Sequence, residues 1–290
     1  MSSLFDFESK SDAYAVMGNP IAHSKSPRIH AAFAQQTGQR ITYSAIQVDP
    51  GGFEQAVGNF FAAGGKGLNI TVPFKQEAWA LVAKRGPEAE LAGAVNTILL
   101  DSDGAWVGRN TDGIGLVRDI CANHGGRIEG QRVLLIGAGG AARGVLEPLL
   151  AQRPTQIVIA NRTPDRAYEL AALFAALGDI KGTGFEDLSG LNFDLIINAS
   201  AASLHGEVPP LPEDVLVSHG GCYDMMYGAE PTPFVRWGQS HGAAQSLDGL
   251  GMLVEQAAES FTLWRGVRPD TAPVLAMLRR ELRRELRGER

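Results

Sequence analysis

A glycine-rich turn between an apolar strand and a helix is the feature that most constrains how this chain folds. Residues 133–136 read V-L-L-I and run directly into G-A-G-G-A-A at 137–142. The spacing fits G-x-G-x-x-A, which is typical of the strand–turn–helix unit that binds dinucleotides. Glycine permits the backbone angles of this turn, and a pyrophosphate can approach the amides at the start of the helix. The sequence therefore predicts a dinucleotide site, with a purely structural glycine turn as the alternative.

The end of the next predicted strand indicates which dinucleotide binds. That strand covers 156–160, and Asn161 and Arg162 follow it. An NAD site usually has Asp or Glu at this point to hold the ribose 2′-hydroxyl. A guanidinium instead suits a 2′-phosphate, by its charge and its forked donors. Thr163 can cap the next helix, which places Arg166 about one turn further along, facing the same anion. We expect NADP, and two solvated arginines at a helix start are the alternative.

Length, charge and residue usage limit the class of protein. The chain has 290 residues, enough for two domains, and its net charge of −6 argues against general nucleic-acid binding. Two cysteines, Cys121 and Cys222, form neither a disulfide framework nor a metal cluster, and the six histidines show no paired ligand spacing. We expect no metal. No 18-residue apolar run occurs and residues 1–8 do not resemble a secretory signal, so we expect no membrane segment and a cytoplasmic location.

The order of predicted elements indicates an α/β fold. Before the glycine turn we expect strands at 14–18, 41–48 and 67–72, helices at 27–37, 53–63 and from 73 to about 85, and a strand pair at 95–100 and 105–108. After it we expect strands at 132–136, 156–160, 194–198, 220–224 and 243–246, a short connector at 186–188, and closing helices from about 251. This alternation implies mainly parallel sheets covered on both faces, with an antiparallel strand possible in the pair at 95–100 and 105–108.

Polar clusters lie where the predicted strands end, which is the edge at which open α/β sheets bind ligands. Ser24 and Ser26 precede a helix that begins at a proline, so hydroxyls and free amides could hold a carboxylate there; Ser26 could equally be only the helix cap. Asn69 and Thr71 point to one side of a strand, where polar groups are costly without a partner. Lys75 follows that strand and is a candidate acid or base, or else a surface cation.

Three further polar segments carry weaker signals on their own. They are A-V-N-T at 94–97, N-T-D-G at 110–113 and D-G-L-G-M-L-V-E-Q at 248–256. Each alone is compatible with a turn, a cap or a helix start. They become informative only when they are considered with the other clusters, in their order along the chain.

Taken together, these motifs resemble the shikimate dehydrogenase family. The resemblance covers 14 to about 273. It rests on G-N-P-I-A-H-S-K-S-P at 18–27, N-I-T-V-P-F-K at 69–75, the three segments above, the glycine turn, N-R-T at 161–163, and Y-D-M with a second tyrosine at 223–227. It implies an N-terminal α/β substrate domain at 1–111, completed by C-terminal helices at 250–290. It also implies a Rossmann-type NADP domain at 112–249.

The resemblance implies an activity and residue roles as well. Members of the family interconvert 3-dehydroshikimate and shikimate with NADP, in aromatic amino-acid biosynthesis. Lys75 and Asp112 would be the catalytic pair. The substrate carboxylate would be held by Ser24, Ser26 and Tyr227, and the ring hydroxyls by Asn69, Thr71, Asn96, Asp112 and Gln256. The cofactor would be held by Gly137, Ala138, Gly139, Gly140, Ala141, Asn161, Arg162, Thr163, Arg166 and Gly249.

One segment departs from the family pattern, and two alternatives stay open. The family commonly has N-A-T-S-x-G after the third Rossmann strand, whereas this chain has N-A-S-A-A-S at 198–203, so that Ser203 replaces a glycine near the expected nicotinamide. An NAD-using quinate/shikimate dehydrogenase is one alternative, although residues 161–162 include no carboxylate to bind the ribose 2′-hydroxyl of NAD. A non-catalytic NADPH-binding sensor is the other, and it would need neither Lys75 nor Asp112. Monomer and homodimer are both compatible with the sequence.

Overall fold

The computed structural model describes residues 11–288. Residues 1–8, on which the expectation of no secretory signal rests, lie outside this range. Within it, no helix is long and apolar enough to span a membrane, and no group of three or more potential metal ligands occurs.

The first half of the chain builds a six-stranded mixed sheet. Its strands are β1 (Asp12–Gly18), β2 (Ile41–Gln47), β3 (Gly67–Ile70), β4 (Lys84–Arg85), β5 (Thr97–Leu100) and β6 (Trp106–Arg109), in the order β2-β1-β3-β5-β6-β4. The helices of this half are α1 (Ser26–Thr37), α2 (Phe53–Ala62), α3 (Lys75–Leu81) and α4 (Pro87–Ala92). The first three strands are parallel, and β5 runs antiparallel to both its neighbours. The predicted antiparallel strand is therefore present.

The second half builds a fully parallel six-stranded sheet. After α5 (Asp112–Arg118) and a π-helical turn (Asp119–Asn123) come β7 (Arg132–Ile136), α6 (Gly140–Ala151), β8 (Gln156–Ala160), α7 (Pro164–Phe174), β9 (Ile180–Thr183), β10 (Phe193–Asn198), β11 (Leu216–Asp224), α8 (Pro233–Ser240) and β12 (Gln245–Asp248). The strand order is β12-β11-β10-β7-β8-β9. Two helices close the chain, α9 (Leu250–Arg265) and α10 (Ala272–Leu286).

The apolar run before the glycine turn shows why this sheet is covered on both faces. Successive side chains of a strand point to opposite faces. Val133 and Leu135 enter one hydrophobic cluster, and Leu134 and Ile136 enter another. All four side chains are fully buried. A strand with helices on each side needs such an uninterrupted apolar sequence, as predicted.

The last two helices pack back on the first half of the chain. Val254 of α9 and Leu278 of α10 share a cluster with Ile29 and Phe33 of α1. Helix α9 also crosses α5 at Gly115, where a Cβ would lie only 2.8 Å from the Gln256 Cβ and the Met252 carbonyl. The two helix backbones can approach this closely because position 115 has no side chain.

Helix α10 contacts both halves of the chain through ion pairs. Arg279 donates two hydrogen bonds, of 2.6 and 2.5 Å, to the carboxylate of Asp248 at the end of β12. On the other side, Glu285 pairs with Lys25 at 2.6 Å, and Glu281 pairs with Arg28 at 2.6 Å. One helix therefore touches the second sheet and the segment that begins α1.

Several predicted element ends were wrong. The strand expected to reach 72 ends at Ile70, because the chain turns at 71–74. The helix expected to reach about 85 ends at Leu81, because Val82 is extended and 84–85 pair with β6. Ser26 does not cap α1: it is the first helical residue, Lys25 holds the cap position, and no side chain caps the helix. The segment 186–188 is a single helical turn rather than a plain connector.

Candidate active site

A cleft of about 350 Å³ opens at the carboxyl ends of β1 and β3. Its size suits one small ligand. The cleft brings together all the residues that the sequence predicted to hold or act on the substrate: Ser24, Ser26, Asn69, Thr71, Lys75, Asn96, Asp112, Tyr227 and Gln256. These residues come from six separate parts of the chain. Those at 24–26 follow β1, those at 69–75 lie at the end of β3, and Asn96 directly precedes β5, which runs antiparallel to β3.

Lys75 and Asp112 form an ion pair in this cleft. The Lys75 Nζ lies 2.6 Å from the Asp112 Oδ2, and both side chains are partly buried. Each residue begins a helix, Lys75 in α3 and Asp112 in α5. The other carboxylate oxygen of Asp112 accepts a hydrogen bond of 2.8 Å from the Asn96 amide. An ammonium has three donors, so two protons of Lys75 remain for a ligand oxygen.

Asn96 connects the Asp112 carboxylate to the body of the protein. Its side chain is almost fully buried. Besides Asp112, its Nδ2 donates to the Thr111 hydroxyl at 3.0 Å, and its Oδ1 accepts from the Thr111 amide at 3.0 Å. The geometry of Asn96 thus fixes the start of α5 as well as facing the cleft.

The side chain of Asn69 makes hydrogen bonds with three residues that the sequence did not predict to be near the cleft. The Asn69 Nδ2 lies 3.1 Å from the Thr97 hydroxyl and 3.0 Å from the Ser260 hydroxyl, and its Oδ1 accepts from Tyr43 at 2.7 Å. Ser260 follows Gln256 by one helical turn on α9, and this spacing was the available signal for it. Nothing in the sequence around Tyr43 pointed to the cleft.

Hydroxyl groups gather at the end of the cleft nearest α1. The Ser24 Oγ accepts a hydrogen bond of 3.3 Å from the Ser26 amide, and both hydroxyls line the cleft with Tyr227. Burial raises the pKa of Tyr227, and the charges of Asp248 and Glu285 raise it further. Tyr227 therefore stays a protonated donor. Three hydroxyls beside the first turn of a helix can hold a carboxylate without a dedicated arginine.

A second cavity of about 360 Å³ lies at the glycine turn. It is lined by Gly137, Asn161 and Arg162 on one side and by residues 200–210 on the other. Gly137 has a φ of 104°, a left-handed conformation that glycine adopts without strain. A Cβ at Gly139 or Gly140 would meet nothing within 4 Å, so the amides at the start of α6 are open to an anion. These features fit a dinucleotide.

The remaining predicted cofactor residues do not line this cavity. Ala138 is partly buried, Ala141 is exposed at the start of α6, and Thr163 holds the cap position of α7 without a side-chain hydrogen bond. Arg166 is exposed in the first turn of α7. Gly249 instead lines the substrate cleft, where a Cβ would overlap with the Met225 carbonyl. His205, which the sequence did not single out, also lines the cavity.

Comparison with known proteins identifies the family. Three family models match in order: the shikimate dehydrogenase substrate binding domain at 16–98, the shikimate / quinate 5-dehydrogenase model at 119–205 and the shikimate 5′-dehydrogenase C-terminal domain at 249–279. A shikimate dehydrogenase (NADP(+)) from Nitrosococcus oceani is 63% identical over 271 residues, which cover 93% of this chain and 96% of that protein. The chain belongs to the shikimate dehydrogenase family. Membership confirms the predicted fold class and an NADP-dependent oxidoreductase.

Solved structures of similar chains support the same conclusion. An Ael1 enzyme from Pseudomonas putida is 47% identical and superposes with a TM-score of 0.86, covering 92% of this chain and 98% of that one. The shikimate 5-dehydrogenase of Thermus thermophilus, solved in complex with NADP(H) and shikimate, is 31% identical, with a TM-score of 0.81 and coverage of 93% and 99%. The two cavities of this chain therefore belong to a fold that, in one relative, holds both molecules together.

The departure at Ser203 has a structural explanation in this chain. The Ser203 hydroxyl donates to the Asp224 Oδ2 at 2.6 Å, and the Asp224 carboxylate also accepts from Thr232 at 2.5 Å and from Asn198 at 3.1 Å. Ser200 donates to the Asn198 Oδ1 at 2.6 Å. Both hydroxyls thus make internal hydrogen bonds with groups of the second sheet.

Proposed function

We propose that this chain interconverts 3-dehydroshikimate and shikimate with NADP(H), and that Lys75 and Asp112 are its catalytic pair. The observation that carries the proposal is the 2.6 Å contact between the two side chains inside a cleft lined by hydroxyl-binding residues. The names of the relatives support the reaction, and the geometry of the pair supports the roles.

Lys75 stabilises the charge that develops in the reduction. When bound, NADPH supplies the hydride to the substrate carbonyl carbon. Negative charge then grows on the carbonyl oxygen, and an ammonium within hydrogen-bond reach stabilises it and transfers a proton. Asp112 orients the Lys75 head, and Asn96 holds Asp112. In the oxidation of shikimate the same lysine takes the proton back.

The cleft has two ends that match the two kinds of group on the substrate. The carboxylate would lie at the end formed by Ser24, Ser26 and Tyr227, where hydroxyl donors are concentrated. The ring hydroxyls would be held by the amides and hydroxyls near the ion pair: Asn69, Thr71, Asn96, Asp112 and Gln256. This arrangement would place the carbonyl next to Lys75.

The glycine turn and the tip of β8 would hold NADP. The open amides of Gly139, Gly140 and Ala141 suit the pyrophosphate, and Gly137 and Ala138 shape the turn. Asn161, Arg162, Thr163 and Arg166 would bind the 2′-phosphate. We assign the substrate domain to 1–111 with 250–290 and the cofactor domain to 112–249, and we place Gly249 between the two ligands. We also propose a cytoplasmic location, because Cys121 and Cys222 are unpaired thiols.

A spectrophotometric assay of NADP reduction tests the proposal. We expect shikimate with NADP to give a higher kcat/KM than quinate with NADP or shikimate with NAD, by at least about tenfold for each comparison. Equal or faster reaction with quinate and NAD would favour the quinate/shikimate alternative. Tight NADPH binding without any shikimate-dependent NADPH formation would favour the sensor.

A further inference from the structure

A tyrosine outside the substrate cleft donates a hydrogen bond to the side chain of one of the cleft residues. Tyr43 lies on β2 and does not line the cleft, yet its hydroxyl contacts the Asn69 Oδ1 at 2.7 Å. Asn69 is one of the residues to which the proposed function gives a ring hydroxyl. The orientation of the Asn69 amide decides which hydrogen-bonding group this residue presents to that hydroxyl.

The surroundings of Asn69 determine the orientation of its amide. The Asn69 Nδ2 lies 3.2 Å from the Asn96 backbone carbonyl, which can only accept a hydrogen bond. The nitrogen must therefore face Asn96, and the oxygen must face Tyr43. It follows that the Tyr43 hydroxyl donates. Thr97 and Ser260 offer further acceptors to the Nδ2 at 3.1 and 3.0 Å, so both amide protons have partners inside the protein.

This arrangement leaves the Asn69 side chain with one free hydrogen-bonding position, on its oxygen. A carbonyl oxygen has two lone pairs, and Tyr43 occupies one of them. The second lone pair is the hydrogen-bonding capacity that remains for a ligand. Asn69 can therefore accept a hydrogen bond from a ligand in the cleft, whereas both of its amide protons are already used inside the protein.

The ring of Tyr43 is held in place by an aromatic neighbour. His30 stacks on it with the ring centroids 4.2 Å apart and an interplanar angle of 5°. His30 is fully buried, and burial lowers its pKa to about 3, so the imidazole is neutral. Burial also raises the pKa of Tyr43 well above its usual value, which keeps the phenol a donor.

We propose that Tyr43 is a positioning residue that acts through Asn69: its hydrogen bond holds the Asn69 side-chain oxygen in place, so that the second lone pair of this oxygen can accept a hydrogen bond from a ring hydroxyl of the substrate. This inference rests on the proposed function, since it needs a hydroxylated ring in the cleft. It makes the site selective for a hydrogen-bond donor at this point of the ring. A residue that touches neither substrate nor cofactor would then affect affinity for the substrate.

Tyr43→Phe is the direct test, because it keeps the aromatic ring and removes only the donor. We expect the KM for shikimate to rise about tenfold, since the Asn69 oxygen loses the hydrogen bond that holds it in place, with a much smaller change in kcat. The Kd for NADP, measured by fluorescence titration, should not change. Tyr14→Phe is the matched control: Tyr14 is the register partner of Tyr43 on β1, but its hydroxyl accepts from Arg265 at 3.3 Å. We expect that variant to have the KM of the unaltered protein.

A double-mutant cycle with Asn69→Ala separates positioning from a general structural effect. If Tyr43 acts through Asn69, the double variant should have the same KM as Asn69→Ala alone, within about twofold. The inference is overturned by independent, multiplicative effects, by a Tyr43→Phe variant with an unchanged KM, or by an equal rise in Tyr14→Phe. Failure of the proposed function would be visible earlier, as a lack of shikimate oxidation by the unaltered protein.

Discussion

Lys75 and Asp112 meet in the cleft because each follows a polar strand end and begins a helix there. We expect Lys75→Ala to lower kcat by about 100-fold or more with little change in KM, since the ammonium acts on charge that develops during the reaction. Steady-state kinetics of shikimate oxidation measures both constants. Lys84→Ala is a matched control, because Lys84 makes a 2.6 Å ion pair with Asp101 on an exposed surface. Unchanged turnover in Lys75→Ala would contradict the assigned role.

Ser203, which replaces the family glycine, has a structural role that can be measured. We expect Ser203→Gly to lower the free energy of unfolding by about 1–3 kcal/mol, because the buried Asp224 carboxylate loses a donor and the backbone gains freedom when unfolded. Denaturant unfolding gives this value. Affinity for NADP should stay the same. Ser102→Gly in an exposed turn should change stability by less than about 0.5 kcal/mol. A loss of NADP affinity in Ser203→Gly would show that the hydroxyl serves the cofactor instead.

At the residue level, the sequence predicted which side chains line the cleft better than what each one contacts. The cleft residues were predictable because polar groups at the ends of parallel strands share one edge. Their contacts depend on side chains far away in sequence. Asn69 contacts Ser260, 191 positions later, and Tyr43 lies on a strand whose apolar pattern gives no hint of its hydroxyl partner. Ser203 likewise pairs with a carboxylate 21 positions later.

Among the elements, central strands were predicted best, and two of the four edge strands were missed. The bounds of β7 and β8 agree with prediction, since strands covered on both faces need continuous apolar runs. The edge strands β4 and β9 were missed. The two residues of β4 are Lys84 and Arg85, and β9 contains a lysine and a glycine, so neither has the sequence of a buried strand. Pairing with an existing edge decides their structure.

The close crossing of helices α5 and α9 at Gly115 can be tested by a substitution. Gly115→Ala would push these helices apart, because the new Cβ would lie 2.8 Å from atoms of Gln256 and Met252. Since the helices carry Asp112 and Gln256, we expect kcat/KM to fall at least about tenfold and the free energy of unfolding to fall by about 1–3 kcal/mol. Gly58→Ala is the control: it lies in α2 with no atom within 4 Å of the new Cβ, and alanine there should be neutral or stabilising. Normal activity in Gly115→Ala would mean that the crossing can relax.

Cofactor preference can be read from the stability of the whole molecule. NADP at 100 times its Kd should stabilise the folded chain by about 2.7 kcal/mol, and NAD at the same concentration by much less. Thermal unfolding with each nucleotide measures the difference. Arg162→Ala should bring the two effects closer together, because its guanidinium at the β8 tip would no longer meet the 2′-phosphate. Equal stabilisation by both nucleotides in the unaltered chain would contradict the NADP assignment.

Helix α10 carries none of the residues assigned to substrate or cofactor, yet its ion pairs reach both parts of the chain that carry them. Within about two helical turns it holds Asp248 at the end of the second sheet, and Arg28 and Lys25 beside the serines of the cleft. A premature stop codon before Arg279, or a protease that trims the chain to that point, would remove all three contacts together. Such a shortened protein would keep every residue assigned to substrate and cofactor, yet it would lose the brace that holds both ligand sites in place.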